Sequence, residues 1–299
     1  MSRETPITSA GSLSRPAWRG WSLFAILAGW LILFVVLPTL ILLVYSFFRG
    51  GNGEVEPAFT FANYAKCFRA PYPAVFGWSL AYAALTTALC ALIGYPVAFY
   101  IGRSSPARRN RLLMLIMIPF ATSFLIRTYA WMTLLSHDGL VMYLLRVTHL
   151  IPLIFPENLQ LLYTNGSVLI VLVYSYLPFM ILPIYGSVEK LDESLIEAAA
   201  DLGAGPFRAF TGVIFPLTLP GVAAGALMVF VPAVAMFAVT TLMSGGNIRL
   251  IGDEIEFQCL EGGNLPFGSA LGMILLAMFV LSFFLFMRRG AGAKADMMR

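Results

Sequence analysis

The residues able to do chemistry are few, and their spacing is wrong for catalysis. Cys67, Cys90 and Cys259 lie far apart in a chain of 299 residues, as do His137 and His149. None has a second ligand at the intervals metal centres use, so no metal site is expected. The three lysines, Lys66, Lys190 and Lys294, follow Ala65, Glu189 and Ala293, so none completes the Gly-Lys-Ser/Thr of a phosphate-binding loop. No Ser/His/Asp or Cys/His set suggests an activated nucleophile, and no catalytic residue is expected. What remains is charge. Only 11% of the chain is charged, yet Glu189, Lys190, Asp192, Glu193, Glu197, Asp201 and Arg208 crowd into one segment, Glu189 to Gly221.

That segment has the punctuation of two short helices. Asp192 or Ser194 can cap the first, with acids in its first turn to suit the macrodipole. Leu195, Ala198, Ala199 and Leu202 fall on one helical face. Gly203 sits where a positive-φ residue ends a helix, and Pro206 suits the first position of the next. That second helix is predicted to run through Phe207, Phe210, Val213 and Ile214 and to stop at Pro216. Two readings of the first helix are open: a docking element for a partner, or an amphipathic helix lying on lipid. Its acidic character disfavours the second.

The rest of the chain must position this segment, and it is built for a bilayer. It is 59% hydrophobic with a mean hydropathy of +0.83, too apolar for a soluble domain of this length. Apolar runs near 22–48, 77–102, 112–135, 166–186, 218–243 and 268–287 are each long enough to cross about 30 Å of hydrocarbon. The first run, Trp21 to Phe48, is too long for the core of a cleavable signal and lacks a small-residue cleavage site, so it is expected to remain as a span. The expected organisation is a flexible cytoplasmic tail over 1–20, a six-span all-α domain over 21–288 with its charged loop at 189–217, and a short cytoplasmic tail over 289–299.

Orientation follows from Lys and Arg. Arg3, Arg15, Arg19, Arg103, Arg108, Arg109, Arg111, Lys190, Arg208, Arg288, Arg289, Lys294 and Arg299 fall on one side, and only Arg49, Lys66, Arg69, Arg146 and Arg249 on the other. Both termini and the charged loop are therefore expected in the cytoplasm. The net charge of +4 sits in these short inter-span segments, so nucleic acid is not an expected partner. The outer loops, 49–76, 136–165 and 244–267, are long. They either receive a partner outside the membrane or merely cover the span ends. Leu150 to Phe155 is too short to span and is expected at the interface. Cys67 and Cys259 both fall outside, where they are either separate thiols or a disulfide.

Intramembrane charge is scarce. Arg127 is the exception, about four turns into the third run. A charge at mid-membrane costs about 2.5–3.5 kcal/mol, so Arg127 is either an interfacial anchor beside Tyr129 and Trp131 or a residue beside a substrate route. No Asp or Glu falls deep in a span, which argues against a proton- or sodium-coupled transporter. Pro96, Pro119, Pro178, Pro183 and Pro232 fall in or near spans and are expected to kink them.

Glu197-Ala198-Ala199, three residues, Gly203, nine residues, then Val213-Ile214-Phe215-Pro216 resembles the EAA loop of binding-protein-dependent ABC importer permeases. Val213 and Phe215 stand where that family often has Ile and Leu. The resemblance implies a type I importer permease fold in a bacterial inner membrane. It further implies a second permease subunit, two ATPase subunits and an extracytoplasmic substrate-binding protein as partners. ATP and magnesium would be held by the ATPase, and this chain would need no cofactor. In the family this loop is the helix that fits the ATPase, which carries that role onto Glu193, Glu197, Ala198, Ala199, Asp201, Gly203 and Pro216.

Within that family the chain is similar to the spermidine/putrescine permease subunits. The resembling stretches include Ser123-Phe124-Leu125-Ile126-Arg127-Thr128-Tyr129, Leu177-Pro178-Phe179-Met180, Pro216-Leu217-Thr218-Leu219-Pro220-Gly221 and Pro266-Phe267-Gly268-Ser269-Ala270. One departure bears on the substrate. Those permeases tend to carry an acid in the segment matching Val239 to Gly246, where this chain reads Thr240-Thr241-Leu242-Met243-Ser244-Gly245-Gly246 and Thr241 offers only a hydroxyl. Aromatic faces can also hold cations, so Arg127, Tyr129, Trp131, Phe237, Thr240 and Thr241 form the candidate substrate pathway. The expected function is a permease subunit for a polyamine. The alternatives are an importer permease for another small organic solute, an ion-coupled secondary transporter, or a membrane scaffold.

Overall fold

The computed structural model describes residues 25–297 apart from 26, 52 and 149–158, with side chains through residue 284. The expected N-terminal tail and the Leu150–Phe155 stretch lie outside the described residues. Five helices are long and apolar enough to cross a membrane, and a bent pair makes a sixth candidate. Among the described residues the fold is all-α apart from one small hairpin.

Helix α1 spans Leu27–Ser46 and loosens into a π turn at Ile32–Val36. Strands β1 (Arg49–Gly51) and β2 (Glu54–Glu56) form an antiparallel hairpin, whose turn uses Gly53 at φ +85°. Helix α2 (Ala62–Cys67) follows, then α3 (Tyr72–Gly102). The bent pair comes next. Its first half is α4, Pro106–Ala121, and its second begins with α5, Phe124–Leu135, and continues through α6, Leu140–Val147. Helix α7 (Asn165–Val188) leads to the charged loop. After α8 (Glu193–Asp201) and α9 (Pro206–Val234) come α10 (Ala238–Met243), α11 (Ile251–Glu256) and α12 (Leu265–Met297).

Helix α7 is the centre. It packs on both α3 and α9, which also pack on each other. Over half of its apolar window is buried, against none of α1's, so α7 is the only span with a mostly protein environment among those described. Glycine makes the close approach possible, as small residues do between helices in lipid. A methyl group at Gly221 of α9 would sit 2.6 Å from the Pro183 carbonyl oxygen of α7, and one at Gly225 would sit 2.8 Å from the Met180 sulfur. Across the same core, the Tyr95 hydroxyl of α3 lies 2.8 Å from Thr218 Oγ1 of α9. Helix α1 packs instead along α12.

Three expectations about continuity are corrected. The third apolar run is not one rod: α4 and α5 meet at 91°. Pro119 has no backbone donor, the last turn of α4 tightens to 3₁₀ at Ile118–Ala121, and Thr122 and Ser123 are extended, with ψ of 156° and 139°. The fifth run also breaks. Helix α9 ends at Val234 and α10 restarts at Ala238, because α11 crosses the gap there: a Cβ on Gly252 would collide with the Ala235 carbonyl. Conversely, the helix from Pro206 does not stop at Pro216. A π turn at Phe210–Ile214 widens the helix ahead of the proline, and the chain continues straight into the span.

Segment 244–267, expected as an outer loop, is only partly a surface. Leu250 and Ile251 are fully buried, and Asp253 and Glu254 are 9% and 8% exposed. The Ile251 N–H donates to Ser79 Oγ of α3 at 2.7 Å, so this stretch folds back into the body. Gly245 to Asn247 and Leu260 to Gly262 remain exposed. Cys67 and Cys259 are free thiols.

Candidate functional site

The first helix of the charged loop folds as its residues predict. Asp192 is the N-cap of α8, and its Oδ1 accepts the Ser194 N–H at 3.0 Å. That bond holds the Asp192 carboxyl below the ordinary aspartate value. At the other end the Ala204 N–H donates to Ala199 O at 3.0 Å, and Gly203 takes φ +79°, the left-handed close of a helix. Pro206 then opens α9.

This helix presents itself outward. Glu197, Ala198 and Asp201 are exposed, and only Ile196 and Ala199 turn partly toward the body. The apolar side chains flanking them are not covered: Leu195 is 45%, Leu202 89% and Phe207 77% exposed. Pro216 is also exposed, about three turns into α9, the rod that runs on as the fifth span candidate. Glu193 pairs with Arg103 at 3.0 Å, and Glu189 with Arg109 at 2.6 Å.

The candidate pathway residues lie on neighbouring elements. Helix α10, with Thr240 and Thr241, packs against α5, which carries Arg127, Tyr129 and Trp131. Arg127 sits one turn past the break, not four turns inside a rod. Its guanidinium lies 4.4 Å from the centre of the Phe120 ring, across the bend, and its Nη1 donates to Pro119 O at 3.4 Å. Its Nε is buried without a partner. Trp131 meets Tyr174 edge-on at 5.3 Å, and Tyr174 stacks toward Phe120 at 6.3 Å. Tyr129 and Phe237 are exposed.

The residue the sequence reading missed is Asp253. Its Oδ1 accepts from Thr240 Oγ1 at 2.5 Å and Thr241 Oγ1 at 3.0 Å, and its Oδ2 accepts the Leu250 N–H at 2.8 Å. Burial raises this carboxyl above its ordinary value, and the three hydrogen bonds pull part of the way back. An acid is therefore present beneath Thr240 and Thr241 after all, delivered by the next helix instead of by α10 itself. Nothing in the spacing of Thr241 and Asp253 signals the contact, because it depends on α11 folding inward.

The profile of the family described as binding-protein-dependent transport system inner membrane component matches residues 94–291. The chain belongs to that family. Its curated relatives run nearly the full length. The spermidine/putrescine transport system permease protein PotB of Haemophilus influenzae is 41% identical over 266 residues, covering 88% of this chain and 91% of the relative. PotB of Escherichia coli is 38% identical over 263 residues, covering 88% and 94%. The inner membrane ABC transporter permease protein YdcU of Escherichia coli is 31% identical, covering 94% of each. Among solved structures, a chain of a bacterial ABC transporter that imports the acidic polysaccharide alginate matches with a TM-score of 0.72 at 17% identity, covering 91% of this chain and 97% of that one. At that identity the likeness shows the fold alone. The chain is thus a multi-pass inner-membrane permease of the importer type.

Proposed function

We propose that this chain is the permease subunit of an ATP-driven importer for spermidine and putrescine. The observation that carries the reading is α8: a capped, glycine-terminated helix with an uncovered apolar face, presented between the fourth and fifth span candidates. An ATPase cleft is its natural seat, with Glu193, Glu197, Ala198, Ala199, Asp201 and Gly203 at the contact and Pro216 where the motion enters the span. The ATPase, as two copies, holds ATP and magnesium, and this chain moves in response. A second permease completes the pathway. A periplasmic binding protein delivers the solute; a bacterial alginate ABC transporter of the same fold has been solved in complex with a periplasmic protein that carries an alginate pentasaccharide. The excess of Lys and Arg on one side supports cytoplasmic termini.

The polyamine assignment is supported by the names of the relatives at 41% and 38% identity and by the chemistry of one cluster. Asp253 behind Thr240 and Thr241 gives a carboxylate framed by hydroxyls, a suitable contact for an ammonium. Arg127, Tyr129, Trp131 and Phe237 would line the approach from α5 and the break before α10.

The test is co-purification and transport with Glu197→Arg, which reverses charge on the docking face and leaves the spans unaltered. The reading expects loss of the ATPase from the complex, or ATP turnover without spermidine uptake. Normal assembly with normal uptake would refute it.

A further inference from the structure

We propose that Arg103, Arg109, Glu189 and Glu193 form a clasp that makes α4 and the docking helix α8 move as one body about the bend at Thr122–Ser123. The proposal rests on the docking reading above for the origin of the motion.

The four residues sit at four helix ends. Arg103 is the C-cap of α3 and Arg109 lies in the first turn of α4. Glu189 is the C-cap of α7 and Glu193 opens α8. The two ion pairs, at 3.0 and 2.6 Å, therefore join the turn between α3 and α4 to the turn between α7 and α8. An isolated surface pair fixes little. These two stand over a packed seat: Ile101 and Val188 are each 1% exposed, and a Cβ at Gly102 would lie 2.6 Å from Val188 Cγ1. Both arginine side chains are 27% exposed, with Glu189 at 38% and Glu193 at 75%. A seat that close, with a charge pair on either side, resists sliding as well as separation.

The upper half of the bent pair is fastened elsewhere. Helix α5 packs on α10 and α7, and α10 holds the Thr240–Thr241–Asp253 cluster. The lower half is tied through Arg109 to Glu189, in the turn that leads into α8, and the upper half packs beside the pathway. Between them lie two extended residues and the 91° turn. A displacement of α8 carried into α4 is taken up at Thr122–Ser123, and Arg127 spans that joint through Phe120 and the Pro119 carbonyl. Opening the joint withdraws both contacts from Arg127, so the joint's angle is coupled to the position of a charge next to the pathway.

The same arginines also serve as positive-inside anchors, so the experiment must separate the two roles. Glu189→Gln keeps every arginine. In the reconstituted importer it is expected to lower spermidine transported per ATP hydrolysed by roughly threefold, the scale of a partly exposed ion pair, with the ATPase still bound. The double exchange Arg109→Glu with Glu189→Arg restores the pair and the count of cytoplasmic basic residues, and is expected to restore the ratio. A disulfide between Arg109→Cys and Glu189→Cys is expected to bring the ratio back toward that of the unaltered complex, and reduction to lower it again, because the clasp stays shut through the cycle. An unchanged ratio in Glu189→Gln, a failed exchange, or a disulfide that arrests uptake until reduced would each overturn the proposal. Failure of the unaltered complex to hold the ATPase would overturn the docking reading instead, and the clasp with it.

Discussion

The Thr241 hydroxyl donates to the Asp253 carboxylate at 3.0 Å, joining two helices that the sequence reading assigned to different environments, one to a span and the other to an outer loop. The acid that the α10 segment lacks is thereby supplied from α11, and burial raises its carboxyl above the ordinary value.

Asp253 sets a pH dependence. Its carboxyl is raised above 3.8, first by burial. A carboxyl raised by folding is held neutral more readily in the native state, so its contribution to stability is full below the unfolded value and is lost as pH rises through the folded one. Cation binding runs the other way and needs the anion. Spermidine uptake should therefore fall as the outer medium is acidified, with a midpoint above 3.8. Asn keeps an oxygen that can accept the Leu250 N–H from the third position of α11, so Asp253→Asn should fold, raise the KM for spermidine roughly tenfold to a hundredfold (the worth of one charge-assisted hydrogen bond) and lose that acid limb. A variant with the wild-type KM and pH profile would remove Asp253 from the pathway.

Gly203 is required for its backbone. A Cβ there meets nothing within 4 Å, and its φ is +79°, so the cost of substitution is conformational, about 1–2 kcal/mol for an L-residue in the left-handed region. Gly203→Val should uncouple ATP hydrolysis from uptake, and Gly203→Asn, which tolerates that conformation, should remain near wild type. Equal activity of the two would show that the turn is not needed.

Gly221 is required for the opposite reason. Its missing side chain admits Pro183 and Ser187 of α7. Gly221→Ala should lower the stability of the detergent-solubilised protein by roughly 1–3 kcal/mol, the usual cost of overpacking. Gly186→Ala, where a Cβ meets nothing within 4 Å, is the control on α7. Thermal unfolding followed by size-exclusion chromatography distinguishes them, and equal melting of the two variants would contradict the close helix contact.

Cys67 should be unreactive. Its thiol is pushed up to about 11, mainly by burial, it is 3% exposed, and its sulfur donates to Asn63 O at 3.2 Å. At pH 8 about one thiol in a thousand would be ionised. A maleimide added to intact membranes should label it only after denaturation. Rapid labelling of the folded protein would mean that the loop over α2 opens.

What could be read from the sequence was what is local. Asp192, Gly203 and Pro206 act on their own backbone within a few residues, so helix α8 was legible from cap to exit. The break at Thr122–Ser123 was hidden because averaged hydropathy runs smoothly across Pro119 and two hydroxyl residues. Pro216 misled in the other direction: the π turn just upstream accommodates a missing donor that a regular α-helix would not. Asp253 was invisible because its role is created by its bonds to Thr240 and Thr241 on the preceding helix, which form only when the Ile251 N–H seats α11 on Ser79 of α3. The exposed loop that its neighbours suggested is, at this point, interior.

Helix α1 buries none of its apolar window within the chain and lies along α12. The first described helix to leave the ribosome thus has the last as its packing partner. During synthesis α1 must wait in lipid, alone, until nearly every other span has been inserted. Closure of the fold at that seam is a late event in biogenesis, and the seam is where an insertase or chaperone would find the unfinished protein still open.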